Sequence, residues 1–144
     1  MATSTSCPVV RAWLITEMTA RLPAAVRIST REPLTIRGES MWLGDSVGAT
    51  SAPHGLGPAT IRRDEEYDTD VVFLCQVKLS DADAETRVFA RFQELQELLS
   101  EDPKPSIDGL MHLILSSWVF TTEAPEGSPN VKITATIRAK DHLA

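Results

Sequence analysis

The chain has 144 residues, 42% of them hydrophobic and 24% charged, which is typical of a globular domain. A single domain of this length buries roughly two-thirds of its unfolded surface, so one sizeable core is expected. The net charge of −6 argues against general affinity for DNA or RNA, because such affinity needs clustered lysine and arginine to displace phosphate counterions.

Cysteine content and the N-terminal sequence indicate where the protein is made. Two cysteines, Cys7 and Cys75, are too few for a secreted disulfide framework or for a complete cysteine zinc site. The opening MATSTSCPVV lacks a basic segment followed by a long apolar run, so no signal peptide is predicted. No stretch approaches the ~20 apolar residues of a membrane span. We therefore expect a soluble protein made in a reducing cytoplasm, with no membrane partner.

The first half of the chain predicts one helix and two extended segments. Residues 1–7 are small and polar and are expected to form a flexible tail ahead of a single domain over 8–144. Apolar residues at four-residue spacing, starting with Val10, predict an amphipathic helix that Pro23 ends. The stretches AVRIS and PLTIRGESMWLGD read as strands, and the Gly-, Pro- and Ser-rich segment 45–59 reads as a long loop.

The second half predicts a long strand, a second helix and a hairpin. In VVFLCQVKL every second residue from Val71 is apolar, which is typical of a strand with one covered face. Apolar positions from Val88 to Leu99 form one helical stripe. In NVKITATIRAK the residues alternate strictly, and the turn EAPEGSP joins this strand to an antiparallel partner. The order of elements predicts an α+β fold with a mostly antiparallel sheet and two main helices on one face.

A search for chemistry gives no catalytic residue and no metal or cofactor site. His54, His112 and His142 lie far apart, and none has a second ligand at zinc spacing. No P-loop, GxSxG elbow or HExxH motif occurs. The carboxylates between Asp64 and Asp70 could hold a divalent cation, but no glycine turn shapes a cage, so a solvated charged run is the favoured interpretation. We therefore expect a protein without enzymatic activity or cofactor, whose function lies in its surfaces.

Two stretches are candidate contact surfaces for a neighbouring subunit or another protein. Cations next to an acidic run can set the register of a subunit contact, and the polar face of the last strand can form a second patch. These candidates are Arg62, Arg63, Asp64, Glu65, Glu66 and Asp68, and then Lys132, Thr134, Thr136, Arg138 and Lys140. In the long loop the candidate contact residues are Asp45, Val47, His54 and Leu56. Deleting that loop is expected to leave a folded subunit that binds its partner less well.

The succession of elements resembles the tail terminator proteins of long-tailed bacteriophages. The resemblance covers roughly residues 8–140. It rests on an opening amphipathic helix, on the strand EYDTDVVFLCQVKLS running directly into DADAETRVFARFQELQELLSED, and on a closing hairpin. The resemblance implies a homohexameric ring in the virion, at the junction of tail and neck. Its implied partners are its own copies, the tail tube protein and a head-completion protein, with genomic DNA passing through the lumen without sequence-specific contact. Ring contacts join unlike patches, which the acidic and cationic surfaces could supply.

Two alternatives remain open from the sequence. A head-closure or head–tail connector subunit also forms rings, and the partner that co-purifies would distinguish it from a terminator. A small ligand-binding or hydrolytic α+β domain is an alternative of a different class. It would place the carboxylates of 64–70 and His112 around one pocket.

Overall fold

The computed structural model describes residues 5–34, 38–50, 63–76, 81–123 and 130–143. These residues form two helices and five strands, which confirms the predicted α+β class. The elements are α1 (Cys7–Arg21), β1 (Arg27–Ser29), β2 (Glu39–Thr50), β3 (Arg63–Gln76), α2 (Asp81–Glu101), β4 (Leu110–Glu123) and β5 (Asn130–Leu143).

The five strands form one sheet in the order β1-β2-β3-β5-β4. Only β1 and β2 run parallel; every other neighbouring pair is antiparallel. The predicted closing hairpin is present as β4 and β5. The long β3–β5 ladder runs without a break from the pair Arg63–Leu143 to the pair Gln76–Asn130, and it places β3 and β5 at the centre of the sheet.

Both helices cover the same face of this sheet, as predicted. Odd-numbered residues of the two central strands point toward the helices, and Phe73 and Ile133 are buried there. The helices contribute apolar stripes at four-residue spacing to the same core. The stripes consist of Val10, Leu14 and Met18 on α1, and of Val88, Phe92, Leu95 and Leu99 on α2. The strict alternation of the last strand therefore marks its buried face correctly.

The chain packs against the rest of the fold from Ser6 onward, two residues before the predicted start of the domain. Of residues 1–7, the structure describes Thr5, Ser6 and Cys7. Ser6 is buried and Cys7 begins α1, so the expectation of a flexible tail up to residue 7 is wrong for these two residues. The reason is a buried carboxylate on β5 that accepts hydrogen bonds from Ser6. Cys7 and Cys75 are both free thiols.

The predicted loop over 45–59 is wrong at its start, because β2 extends to Thr50. Small residues suggested a loop, but here they permit close pairing with β3. A Cβ atom built on Gly48 would lie 3.2 Å from the Tyr67 Cβ, so glycine lets the two strands approach beside a large ring. The remainder of that segment, 51–59, lies outside the described residues.

The expectation that the run 64–70 only leads into a strand is also wrong, whereas its charged side chains are at least partly exposed, as expected for a solvated run. β3 begins at Arg63, so the run itself is strand. Tyr67 and Thr69 are buried on the helix-covered face. The carboxylates of Asp68 and Asp70 therefore point the other way, since neighbouring strand residues face opposite sides. Inward-facing and outward-facing residues do alternate in this run, but its many charged residues made the pattern hard to recognise in the sequence.

A β-bulge in β2 is fixed by one arginine from α1. The register with β3 shifts between Leu43 and Ser46. Arg11 Nη1 donates to the Gly44 carbonyl oxygen at 2.7 Å and to Ser46 Oγ at 2.8 Å, and its Nη2 donates to the Thr30 carbonyl oxygen at 3.1 Å. One guanidinium thus satisfies polar groups that the bulge removes from the ladder, and it attaches the helix to the strand.

Two isoleucines on adjacent strands test the assignment of the core. Ile133 is fully buried, whereas Ile114 is 45% exposed on the other face. Ile133→Ala should lower the free energy of unfolding by about 2–5 kcal/mol, because it leaves a cavity under both helices. Ile114→Ala should cost less than about 1 kcal/mol. Urea denaturation of the monomeric protein measures both, and equal losses would contradict this arrangement of the core.

Candidate assembly face

The sheet has a second face, opposite the helices, on which no described helix lies. We call it the open face. It carries the even-numbered residues of β3 and β5, including Asp64, Glu66, Asp68 and Asp70 of the acidic run and the whole cationic row. All five predicted residues of that row lie here: Lys132, Thr134, Thr136, Arg138 and Lys140.

On the open face, acidic side chains of β3 stand opposite cationic or hydroxyl side chains of β5. Register places Glu66 opposite Lys140. Three further contacts cross between the strands: Thr136 Oγ1 donates to Asp70 Oδ1 at 2.9 Å, Arg138 Nε donates to Asp68 Oδ1 at 3.0 Å, and His142 Nδ1 lies 2.8 Å from Asp64 Oδ1. The hydrogen bond from Arg138 to Asp68 raises the pKa of the guanidinium. We call these four cross-strand pairs the charge ladder.

The charge ladder corrects the expectation that the acidic run and the cationic row form separate, unlike patches. Asp64, Glu66 and Asp68 are cross-strand partners of the basic side chains within the same subunit. They therefore form one mixed surface, on which the four carboxylates of β3 share a face with Lys132, Arg138, Lys140 and His142 of β5. The charges are half-exposed, so each pair contributes little to stability and is screened by salt.

The far end of the open face is apolar. Trp42, Val72 and Leu74 form a second buried cluster there, separate from the main core. Register puts Thr134 beside Val72 and Lys132 beside Leu74. The open face thus divides along its strands into a charged, half-exposed end and an apolar end whose side chains are buried.

The remaining predicted contact residues are distributed differently. Glu65 has the opposite parity and lies beside Asp141. Arg63 pairs with Leu143 at the start of the β3–β5 ladder. Asp45 and Val47 lie in β2 and are exposed, Val47 on the open face opposite Asp68. The other three predicted contact residues, Arg62, His54 and Leu56, lie outside the described residues.

The last strand of the sheet, β4, exposes large apolar side chains. Val119 is 58% exposed and Trp118 is 47% exposed. Trp118 lies edge-on to Phe89 of α2, with ring centroids 5.9 Å apart, and also contacts Phe92. The strand lies at the edge of the sheet, so only one side of the Trp118 ring is covered.

A buried hydrogen-bond cluster joins the two ends of the described chain. Asp141 accepts hydrogen bonds from the backbone N–H of Ser6, at 2.7 Å, and from its hydroxyl. Because the serine proton goes to Asp141, the Tyr67 hydroxyl donates to Ser6 Oγ, at 2.8 Å. Burial raises the pKa of Tyr67, and the nearby Asp141 charge raises it further. The sequence analysis did not predict this cluster. The only indication was that Tyr67 and Val71 are an even number of residues apart, so both side chains lie on the same face of the strand.

The alternative of a carboxylate-lined pocket finds no support in this geometry. His112 stands opposite Lys140 on β4, and β5 separates it from the carboxylates of β3. Asp70 borders a shallow cavity of about 360 Å³ beside Trp42 and Arg31. Within the part of the chain that the structure describes, no three His, Cys, Asp or Glu side chains are grouped to hold a metal ion.

Comparisons of the chain with protein-family models and with curated protein sequences give no match. Neither described helix is long and apolar enough to cross a membrane. The fold and the open face therefore supply the observations from which a function is inferred.

The charge ladder can be tested by a double-mutant cycle. Asp68→Asn, Arg138→Gln and the combined variant should show a small favourable coupling at low salt, because both side chains are half-exposed. The coupling should disappear near 1 M salt, where the Debye length falls to about 3 Å. Denaturant titration of the four proteins measures it. A large coupling that survives high salt would contradict a solvent-screened pair.

The hydrogen-bond cluster predicts a loss of stability at alkaline pH. The pKa of Tyr67 is raised above its ordinary value of 10.0 in the folded state. Its contribution to stability is therefore complete below about pH 10 and is lost as the pH rises above that value. Tyr67 is the only tyrosine, so phenolate absorbance reports it directly.

We expect the phenolate signal to appear only together with alkaline unfolding, as followed by circular dichroism. The Tyr67→Phe variant should lose less stability than the wild type between about pH 10 and 11. An absorbance transition near pH 10 in a protein that is still folded would show that the hydroxyl is accessible, which would contradict the buried cluster.

Proposed function

We propose that this chain is a structural virion protein, a tail terminator without enzymatic activity or cofactor. Copies of it assemble into a ring, expected to be hexameric, at the junction of tail and neck. The ring caps the tail tube, stops its polymerisation and binds the head-completion protein. The protein is made in the host bacterial cytoplasm before it joins the virion.

The observation that carries this proposal is the open face with its charge ladder. DNA that moves through a ring must be neither held nor repelled strongly, and a row of isolated lysines or arginines would bind its phosphates. Here Arg138 is paired with Asp68, and Lys140 stands opposite Glu66. A face on which Arg138 and Lys140 lie opposite carboxylates and acidic groups are slightly in excess is suited to line a lumen. It lets DNA pass without sequence-specific contact.

The architecture gives independent support. Two helices close one side of the sheet over the main core, and the charged end of the other side is left for assembly. The apolar side chains that β4 exposes at the edge of this sheet, among them Val119 and Trp118, are of the kind found at protein contacts. This distribution fits a subunit whose partners are proteins, including its own copies.

A head-closure or head–tail connector subunit is the second candidate. The same exposed sheet edge would serve such a ring, and the difference lies in which partner the ring binds. A terminator binds the end of the tail tube. Co-purification with the tail tube protein therefore favours the terminator.

Native mass spectrometry of the purified protein over a wide concentration range provides the first test. We expect a six-subunit species, either alone or after addition of tail tubes. Tubes polymerised from tube protein in the presence of this chain should stop growing, and electron microscopy should show it at one end of each tube.

A protein that stays monomeric both alone and with tubes, and that leaves tube length unchanged, would overturn the proposal. The matched control is tube protein polymerised with an unrelated acidic protein of similar size. That mixture separates specific capping from a general effect of added protein on polymerisation.

A further inference from the structure

The outer edge of β4 has the features of a strand that pairs with another chain. β4 is 14 residues long and is the terminal strand of the sheet that the structure describes. From Leu113 to Thr122 it contains no charged residue, and its register with β5 shifts once in this stretch, between Leu115 and Ser117. Strands at a solvent-exposed edge normally carry charges, proline or bulges that prevent pairing. After this shift the stretch from Ser117 to Thr122 is regular and uncharged, and such an edge is a template for a further strand.

Apolar side chains flank this edge on both faces of the sheet. Ile114 and Val119 stand on the open face, where they are 45% and 58% exposed. Trp118 is exposed on the helix-covered face. A strand added at this edge would cover all three side chains, which are of the types enriched at the centre of protein interfaces.

The opposite side of the sheet provides a second uncharged edge. β1 has only three residues and pairs with β2 from Ser40 to Trp42. Beyond the bulge, from Ser46 to Thr50, β2 has no charged residue and no described strand on its outer side. Its one side-chain bond to α1 in the described structure is the one from Arg11 to Ser46 Oγ. Val47, in the middle of this segment, is 71% exposed on the open face.

Strand direction makes these two edges compatible. The three antiparallel pairings between β2 and β4 leave these two strands running in opposite directions. A second copy that continues the sheet therefore brings its β2 antiparallel to β4 of the first. Strands in a closed ring of sheet are tilted to the ring axis, and this tilt shifts the neighbouring copy along β4, so that its 46–50 segment meets the uncharged stretch around Val119. Pairing of β4 with another β4 would leave the β2 edge uncovered. Head-to-tail pairing covers both edges with one type of contact, and such a contact generates a ring when the rotation closes.

We propose that neighbouring subunits are joined by antiparallel pairing of β4 with the 46–50 segment of β2 in the next copy. The sheet then continues from subunit to subunit, with the open face on one side of the ring wall and the helices on the other. This inference rests on the proposed ring function and specifies the contact that builds the ring.

The test introduces one lysine at each edge. Val119→Lys and Val47→Lys place a charge that would have to be desolvated in the pairing, and each should weaken assembly at least ~10-fold. Val9→Lys is the matched control, because Val9 is 54% exposed and belongs to α1 rather than to either edge strand. Since all three valines are more than half exposed, each variant should fold, and circular dichroism and thermal melting check this.

Mixing the two edge variants distinguishes head-to-tail pairing from self-pairing. Val47→Lys retains an intact β4, and Val119→Lys retains an intact β2. Each alone should be monomeric by native mass spectrometry, and the mixture should give a one-to-one dimer through the intact pair of edges. Wild type and Val9→Lys should form rings under the same conditions, with tail tubes present if the wild type requires them.

Other outcomes overturn the inference in distinguishable ways. If Val47→Lys dimerises and Val119→Lys does not, β4 pairs with itself. If both edge variants form rings like the wild type, the ring exists but its contacts lie elsewhere. If the wild type forms no ring with or without tubes, the proposed function fails together with this inference.

Discussion

The register between β3 and β5 is the constraint on which the rest of the structure depends. Side chains alternate between the two faces of a strand, so a slip of one residue would turn Phe73 and Ile133 out of the core and bring the charged residues under the helices. Burying apolar side chains on one face therefore fixes, without further interactions, which residues meet on the other. The charge ladder is a consequence of this register rather than its cause, because its half-exposed pairs are too weak to hold the strands.

At the border of the main core, hydrogen bonds attach the first helix to the sheet. The Ser6–Tyr67–Asp141 cluster fixes the start of α1 to the end of β5, and Arg11 fixes the same helix to the bulge in β2. Both places contain backbone or carboxylate groups that would otherwise be buried without partners, at a cost of about 1–3 kcal/mol each. The helix that opens the chain is thereby anchored to strands at two separate parts of the sheet, and the open face remains available for assembly.

The sequence predicted the fold class, both helices, the hairpin and the inward face of β5, because each of these depends on local periodicity. It failed in the segments 45–50 and 64–70. There, small or charged residues resemble loops when they are read alone, and pairing between the two segments makes them strands. The contact between Asp68 and Arg138 could not be read from the sequence, since 70 positions separate them and only the register brings them together. The cluster around Ser6 depends in the same way on a distant partner. The family resemblance and the ring remain inferences from the order of elements and from the surfaces.

A subunit with one face covered by helices, one face of mixed charge and two uncharged edges is suited to form the wall of a ring. Electron microscopy of the assembled protein, viewed end on, tests this central claim most directly. The account predicts closed rings with six-fold symmetry, a central channel, and a sheet that continues across subunit boundaries. Compact two-fold particles without a channel, or monomers under every condition including the presence of tail tubes, would contradict it.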